Sequence, residues 1–193
     1  MRIVVPVKPL AQAKSRLGTV LSAGERAEIM RRLLDRVIAA AREVAPVSVV
    51  TADGAIAARS RALGAEVIDE GEVLGLDVAA RLGVDHARRR GEMSVMIVAA
   101  DLPDVTAEAL DAMLTLARPG ALVIGPSRDG GTNALILSPR LDYRFAYGPD
   151  SFARHCGEAK RLGLEVVVHE SPALSVDIDW PEDLADHRDL WAA

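Results

Sequence analysis

Asp101 ends the apolar run Val95-Met96-Ile97-Val98-Ala99-Ala100, and Pro103 stops that run from continuing as a strand. A carboxylate in such a place must meet a cation or donors to be held out of water, unless it only caps the following turn. Two more acids, Asp177 and Asp179, stand two residues apart near the other end of the chain. In an extended segment they share a face, as a hard divalent cation held by carboxylate oxygens requires. Lys8, Lys14 and Arg16 fall within one loop after the first apolar run, Ile3 to Val7. They are either three solvated cations or the neutralising charge for an anionic ligand. The loop is not a phosphate-binding Walker loop, since G-x-x-x-x-G-K-[ST] is absent, and no G-x-G-x-x-G follows the strand.

Two further stretches suit phosphate. Gly130-Gly131-Thr132 follows Asp129, and such a pair of glycines either lets a ligand approach the backbone or makes an ordinary hairpin turn. There the Thr132 hydroxyl and nearby N–H groups can hold phosphate oxygens. Tyr147-Gly148-Pro149-Asp150-Ser151 precedes a helix, with Ser151 expected as its cap and the first N–H groups free to meet an anion. No Ser-His-Asp or Cys-His set is evident. His155, His169 and His187 lack metal-ligand spacing, and Cys156 reads as a packed, inert thiol.

The elements that position these residues alternate. Ile3 to Val7 is a strand; Ser22-Ala23-Gly24-Glu25 has capping-box spacing and opens a helix that runs to Pro46. Its residues Met30, Leu33, Leu34, Val37, Ile38 and Ala41 form one apolar face. Val47 to Thr51, Ala65 to Ile68, Val95 onward and Leu122 to Gly125 read as strands. Helices are expected over Ala55 to Leu63, Leu76 to Arg90 and Thr106 to Ala117. This alternation calls for a mostly parallel, helix-covered α/β sheet. After residue 125 it breaks: a strand over Asn133 to Leu137, an irregular stretch from Pro139 to Pro149, a helix from Ser151 to Leu162 and a strand over Leu164 to His169. Pro181 then suits a first helical position. One domain spanning 1–193 is the economical reading.

Composition bounds the class. Half of the 193 residues are hydrophobic but only 3% aromatic, so the core is built of Ala, Val, Leu and Ile. A net charge of −5 argues against a nucleic-acid binder. One cysteine fits a reducing compartment, and no run reads as a signal peptide or reaches membrane-spanning length, so the expectation is a cytoplasmic protein without a membrane partner.

The stretches Val5-Pro6-Val7-Lys8 with Ala13-Lys14-Ser15-Arg16-Leu17, Ala100-Asp101-Leu102-Pro103, Asp129-Gly130-Gly131-Thr132-Asn133-Ala134-Leu135, Phe145 to Ser151, and Asp177-Ile178-Asp179 with Pro181-Glu182-Asp183-Leu184 resemble the CofC/FbiD guanylyltransferases of coenzyme F420 biosynthesis. The match runs from first strand to last helix in family order. It implies a single nucleotidyltransferase domain of glycosyltransferase A-like fold. It also implies transfer of GMP from GTP, with Mg²⁺, to 2-phospho-L-lactate, phosphoenolpyruvate or 3-phospho-D-glycerate. By the resemblance, Thr132, Gly148 and Ser151 contact the acceptor, and Asp101 with Asp177 or Asp179 holds the metal. Lys8, Lys14 and Arg16 fall to the triphosphate, with Lys14, Arg16 and Asp101 the catalytic set, and Gly75 and Asp77 fall to the base.

One departure stands out. The family usually has Gly-Leu-Asn where this chain has Gly75-Leu76-Asp77. Asn donates and accepts, whereas ionised Asp only accepts, which suits guanine N–H groups but puts the base assignment in question. A phosphate monoester is mostly dianionic at neutral pH and attacks phosphorus without a general base, so the lack of an acid–base pair agrees with this chemistry. Two other readings stay open: a related nucleotidyltransferase acting on molybdopterin or a sugar phosphate, and a non-catalytic nucleotide-sensing module. The sequence leaves a homodimer open as well.

Overall fold

In a computed structural model, the structure describes residues 1–12, 14–187 and 190. Ala13, part of the first-loop stretch, lies outside them. Seven strands make one sheet: β1 (Arg2–Pro6), β2 (Val47–Thr51), β3 (Glu66–Asp69), β4 (Val95–Val98), β5 (Ala121–Pro126), β6 (Thr132–Leu137) and β7 (Glu165–Val168). Their order across the sheet is β3-β2-β1-β4-β6-β5-β7. β6 runs antiparallel to both of its neighbours, and the other pairings are parallel. The mostly parallel α/β architecture expected from the alternation is therefore what forms, and β6 falls where the expected alternation breaks, after residue 125.

The helices are α1 (Ala23–Val44), α2 (Gly54–Ala62), α3 (Leu76–Arg89), α4 (Ala107–Thr115), α5 (Ser151–Arg161) and the single turn α6 (Pro172–Ser175). The capping box at Ser22 and Glu25 is present, and the Thr106 side chain accepts from Ala109 N–H to start α4. Each such cap contributes about 1 kcal/mol. Alternate strand residues feed opposite faces, following the period of two. Ile3, Val5, Val49, Met96 and Val98 join Leu34, Val37 and Ile38 of α1. Val4, Val50, Val95 and Ile97 join the small residues Ala79, Ala80, Val84 and Ala87 of α3. A Cβ built on Gly83 would lie 2.2 Å from Val4 Cγ1, so α3 rides directly on β1.

A third, smaller cluster bears on the site. Leu17 of the first loop and Ile178, between the two late acids, are both fully buried with Ile29 and Leu33 of α1, Leu184 and Leu190. Apolar packing thus brings the first-loop cations and the late acids to the same side of α1. The segment at Pro181 forms a 3-10 turn over Pro181–Leu184 rather than an α-helix. Among the described residues no helix is long and apolar enough to cross a membrane.

Candidate active site

β1 has β2 on one side and β4 on the other, so the strand order reverses between β1 and β4. Their carboxyl ends frame the crevice where open α/β sheets bind ligands. A cleft of about 800 Å³ opens there. Each residue given a site role from the sequence lines it: Lys8, Lys14, Arg16, Gly75, Asp77, Asp101, Thr132, Gly148, Ser151, Asp177 and Asp179.

One carboxylate oxygen each from Asp101, Asp177 and Asp179 lies within 4.8 Å of the others. Such an all-oxygen donor set suits a hard divalent cation. The Lys14 ammonium already answers that demand for positive charge: it pairs with Asp101 and sits 3.2 Å from Asp179 Oδ1. Burial disfavours the charge on Lys14, but the two carboxylates outweigh burial and raise its pKa above the ordinary value. Among the described residues Asp177 has no ion-pair partner, and the Lys14 charge only partly offsets its surroundings. Burial, then the neighbouring charges of Asp101 and Asp179, push its carboxyl up to about 6.

Arg16 completes this wall. Its guanidinium donates to Asp179 Oδ2 at 2.9 Å and lies over the Trp180 ring at 4.8 Å. Lys14 and Asp150 both adopt left-handed backbone, with φ of 53° and 55°. Each such non-glycine residue carries strain of about 1–3 kcal/mol, which gathers at functional clefts. The late acids are fixed from behind. Asp183 accepts from Asp179 N–H at 2.9 Å and Trp180 N–H at 2.7 Å, and it pairs with Arg128. Asn133 donates to Leu174 O at 3.0 Å, with Asp177 Oδ1 at 3.4 Å.

The opposite wall holds the small-residue loops, and here two expectations need correction. Ser151 does not cap α5; Asp150 occupies that position without a side-chain cap, and Ser151 is the first helical residue. The left-handed backbone at Asp150 turns the Ser151 hydroxyl inward, to 3.2 Å from Thr132 Oγ1. Nor are the first N–H groups of α5 all free, because Ser151 N–H donates to Gly148 O and Phe152 N–H to Gly130 O. Gly148, at φ 99°, makes the turn that permits the first of these bonds. Asp129 accepts from Ser127 Oγ–H and Gly131 N–H, so an ordinary side-chain-stabilised turn accounts for that acid.

Asp77 has a partner as well. Its Oδ1 accepts from Tyr147 N–H at 2.7 Å, tying the start of α3 to the loop before α5. One oxygen of the side chain expected at the base is therefore used in holding the wall together. Four residues given no role in the site from the sequence support it: Arg128, Asn133, His155 and Asp183. Asn133 and His155 carried a signal, a polar residue in a buried strand and a His one turn after Ser151. Arg128 and Asp183 are 55 positions apart, and only the tertiary fold pairs them.

The comparisons with known proteins agree with this architecture. The family model for "Guanylyl transferase CofC like" proteins matches residues 1–187. A phosphoenolpyruvate guanylyltransferase of Sphaerobacter thermophilus is 39% identical over 98% of this chain and 95% of its own length. A 2-phospho-L-lactate guanylyltransferase of Methanocaldococcus jannaschii is 32% identical over 96% of this chain and 81% of its own. A nucleotidyl transferase structure from Methanothermobacter superposes with a TM-score of 0.69 at 18% identity, over 98% of this chain and 96% of that one, a likeness of fold. With sequence and fold in accord over nearly the whole chain, the protein belongs to the CofC-like guanylyl transferase family.

Proposed function

We propose that the protein is a cytoplasmic guanylyltransferase that moves GMP from GTP to a three-carbon phospho-acid and releases pyrophosphate, as a step in coenzyme F420 biosynthesis. The observation that carries this reading is the pairing, across one cleft, of a three-carboxylate cluster with flanking cations and a wall of small hydroxyl-bearing residues. The relatives' names supply the acceptor class: phosphoenolpyruvate in one, 2-phospho-L-lactate in the other. 3-Phospho-D-glycerate is the third acid of the same size and charge.

Asp101, Asp177 and Asp179 would hold Mg²⁺, whose place the Lys14 ammonium partly fills. A bound Mg²⁺ supplies charge neutralisation and alignment of phosphate oxygens. The remaining work falls to the chain. Lys8, Lys14 and Arg16 neutralise the triphosphate and the pyrophosphate that leaves. Gly75 and the second oxygen of Asp77 face the base. Thr132, Gly148 and Ser151 hold the acid so that one oxygen of its phosphate is in line with the α-phosphorus. A bond forms between that oxygen and the α-phosphorus as the bond to the β-phosphate oxygen breaks. No side chain need remove a proton, because the attacking oxygen is already ionised; positioning and charge compensation supply the rate.

The reading is tested by incubating the protein with GTP, Mg²⁺ and each acid separately and following pyrophosphate. Release that depends on one of the three acids is expected. Release that depends on a sugar phosphate or a pterin phosphate instead would replace the acceptor. Tight GTP binding without release would make the protein a sensor.

A further inference from the structure

His155 lies one helical turn beyond Ser151, fully buried, between the acceptor wall and the Tyr147 ring. Its two ring nitrogens have different partners. Nε2 is 3.1 Å from the backbone nitrogen of Ala146, which can only donate, so Nε2 must carry the lone pair. The ring is neutral: burial pulls its pKa down to about 4, and a second ring proton would meet the Ala146 N–H head on. The proton of a neutral ring then sits on Nδ1, 3.1 Å from Thr132 Oγ1.

That proton sets the polarity of the hydroxyl pair beyond it. Thr132 and Ser151 have one hydroxyl proton each, and their oxygens are 3.2 Å apart. Since Thr132 Oγ1 receives a hydrogen from His155, neither hydroxyl needs to donate back to the ring. One of the two protons bridges the pair, in either direction, and the other is left to face the cleft that both residues line. With the opposite tautomer, one proton would go to Nδ1 and one would bridge the pair. The cleft would then be offered only lone pairs, which repel an anion.

We infer that His155 is a positioning residue that polarises the Thr132–Ser151 hydroxyl pair, so that the pair presents a donor to the anionic acceptor. The inference rests on the acceptor reading given above. The Ala146 N–H makes the arrangement self-consistent, because it fixes the tautomer from the far side of the ring.

Two measurements test it. In wild-type protein with ¹⁵N-labelled histidine, a long-range ¹H–¹⁵N spectrum at neutral pH should show His155 with its proton on Nδ1 and a bare Nε2. A proton on Nε2 would overturn the inference. Two variants then separate the roles of the nitrogens. Gln places its amide near Nε2, so His155→Gln can still accept from Ala146 but offers Thr132 nothing at the Nδ1 position. Asn places its amide nitrogen near Nδ1 and can donate to Thr132. His155→Gln should raise the acceptor KM about tenfold, as for loss of a hydrogen bond to a charged group, with a smaller change in kcat and in GTP affinity measured without acceptor. His155→Asn should recover most of the acceptor KM, although Gln is nearer to His in size. An unchanged acceptor KM in His155→Gln, or recovery by Gln rather than Asn, would show a structural role only and overturn the inference. Should a variant not fold, the wild-type spectrum still decides. Wild-type turnover is measured alongside: its absence is a failure of the proposed function, while the spectrum still decides the hydroxyl polarity.

Discussion

Asp177 is largely buried beside the two other acids of the cluster, Asp101 and Asp179. Its carboxyl is raised from 3.8 to about 6, first by burial and then by Asp101 and Asp179. Because the folded value lies above the unfolded one, the charged form opposes folding. That penalty is absent below about pH 4, grows between the two values and is complete above about pH 6. Asp177→Asn should therefore raise the melting temperature by a few degrees at about pH 8 without metal, and give no gain at about pH 4. Mg²⁺ should raise the melting temperature of the wild type, and Asp177→Asn should abolish that rise. Equal shifts at both pH values would remove charge as the cause. Lys14→Met tests the other half of the cluster. It leaves Asp101 and Asp179 without their ammonium partner and should destabilise the metal-free protein by about 1–3 kcal/mol, below the fully buried case because both acids keep contact with water. Mg²⁺ should restore much of that loss, and GTP should be weakened more than GMP. Equal weakening of the two nucleotides would place Lys14 away from the β and γ phosphates.

At the scale of elements, the site depends on a clamp between distant segments. Asp183 holds the backbone of Asp179 and Trp180 while Arg128 holds Asp183, so the loop after β5 steadies the segment that bears the late acids. Asp183→Ala should lower Mg²⁺ affinity about 10-fold or more while the helices and sheet persist, the usual effect of losing a partner behind a metal ligand. Metal affinity equal to wild type would show that Ile178 burial alone holds the segment. This clamp also marks the limit of what the sequence discloses. Local signals such as the Ser22 capping box, the Thr106 cap and the Val47 to Thr51 strand are written in neighbouring residues and form as expected. The cleft was legible in part because Lys8, Lys14, Arg16, Gly75 and Asp101 follow β1, β3 and β4, whose carboxyl ends the topology gathers. The capping role given to Ser151 was misplaced because a left-handed Asp150 turns the hydroxyl inward, and non-glycine residues rarely adopt that conformation. The hydrogen bond from Tyr147 to Asp77 joins residues 70 positions apart, and no local pattern announces it.

At the scale of the molecule, a chain of net charge −5 places three of its 23 Lys and Arg residues, Lys8, Lys14 and Arg16, along the cleft. On the proposed function, attraction of two anionic substrates would be local, resting on those side chains and on a metal held at the three carboxylates. Removing one of those carboxylates should stop the chemistry without unfolding the sheet. Asp101→Asn should lower turnover at least about 10²-fold at saturating Mg²⁺, comparable to losing one preorganised charge-stabilising contact. The most direct test of the whole account is to follow GTP, Mg²⁺ and phosphoenolpyruvate, 2-phospho-L-lactate or 3-phospho-D-glycerate by ³¹P NMR in the presence of the protein. The account predicts two mutually coupled diphosphate resonances from a new guanosine-diphospho-acid, growing in step with free pyrophosphate and absent with Asp101→Asn. Bound GTP that yields no such coupled pair with any of the three acids would contradict it.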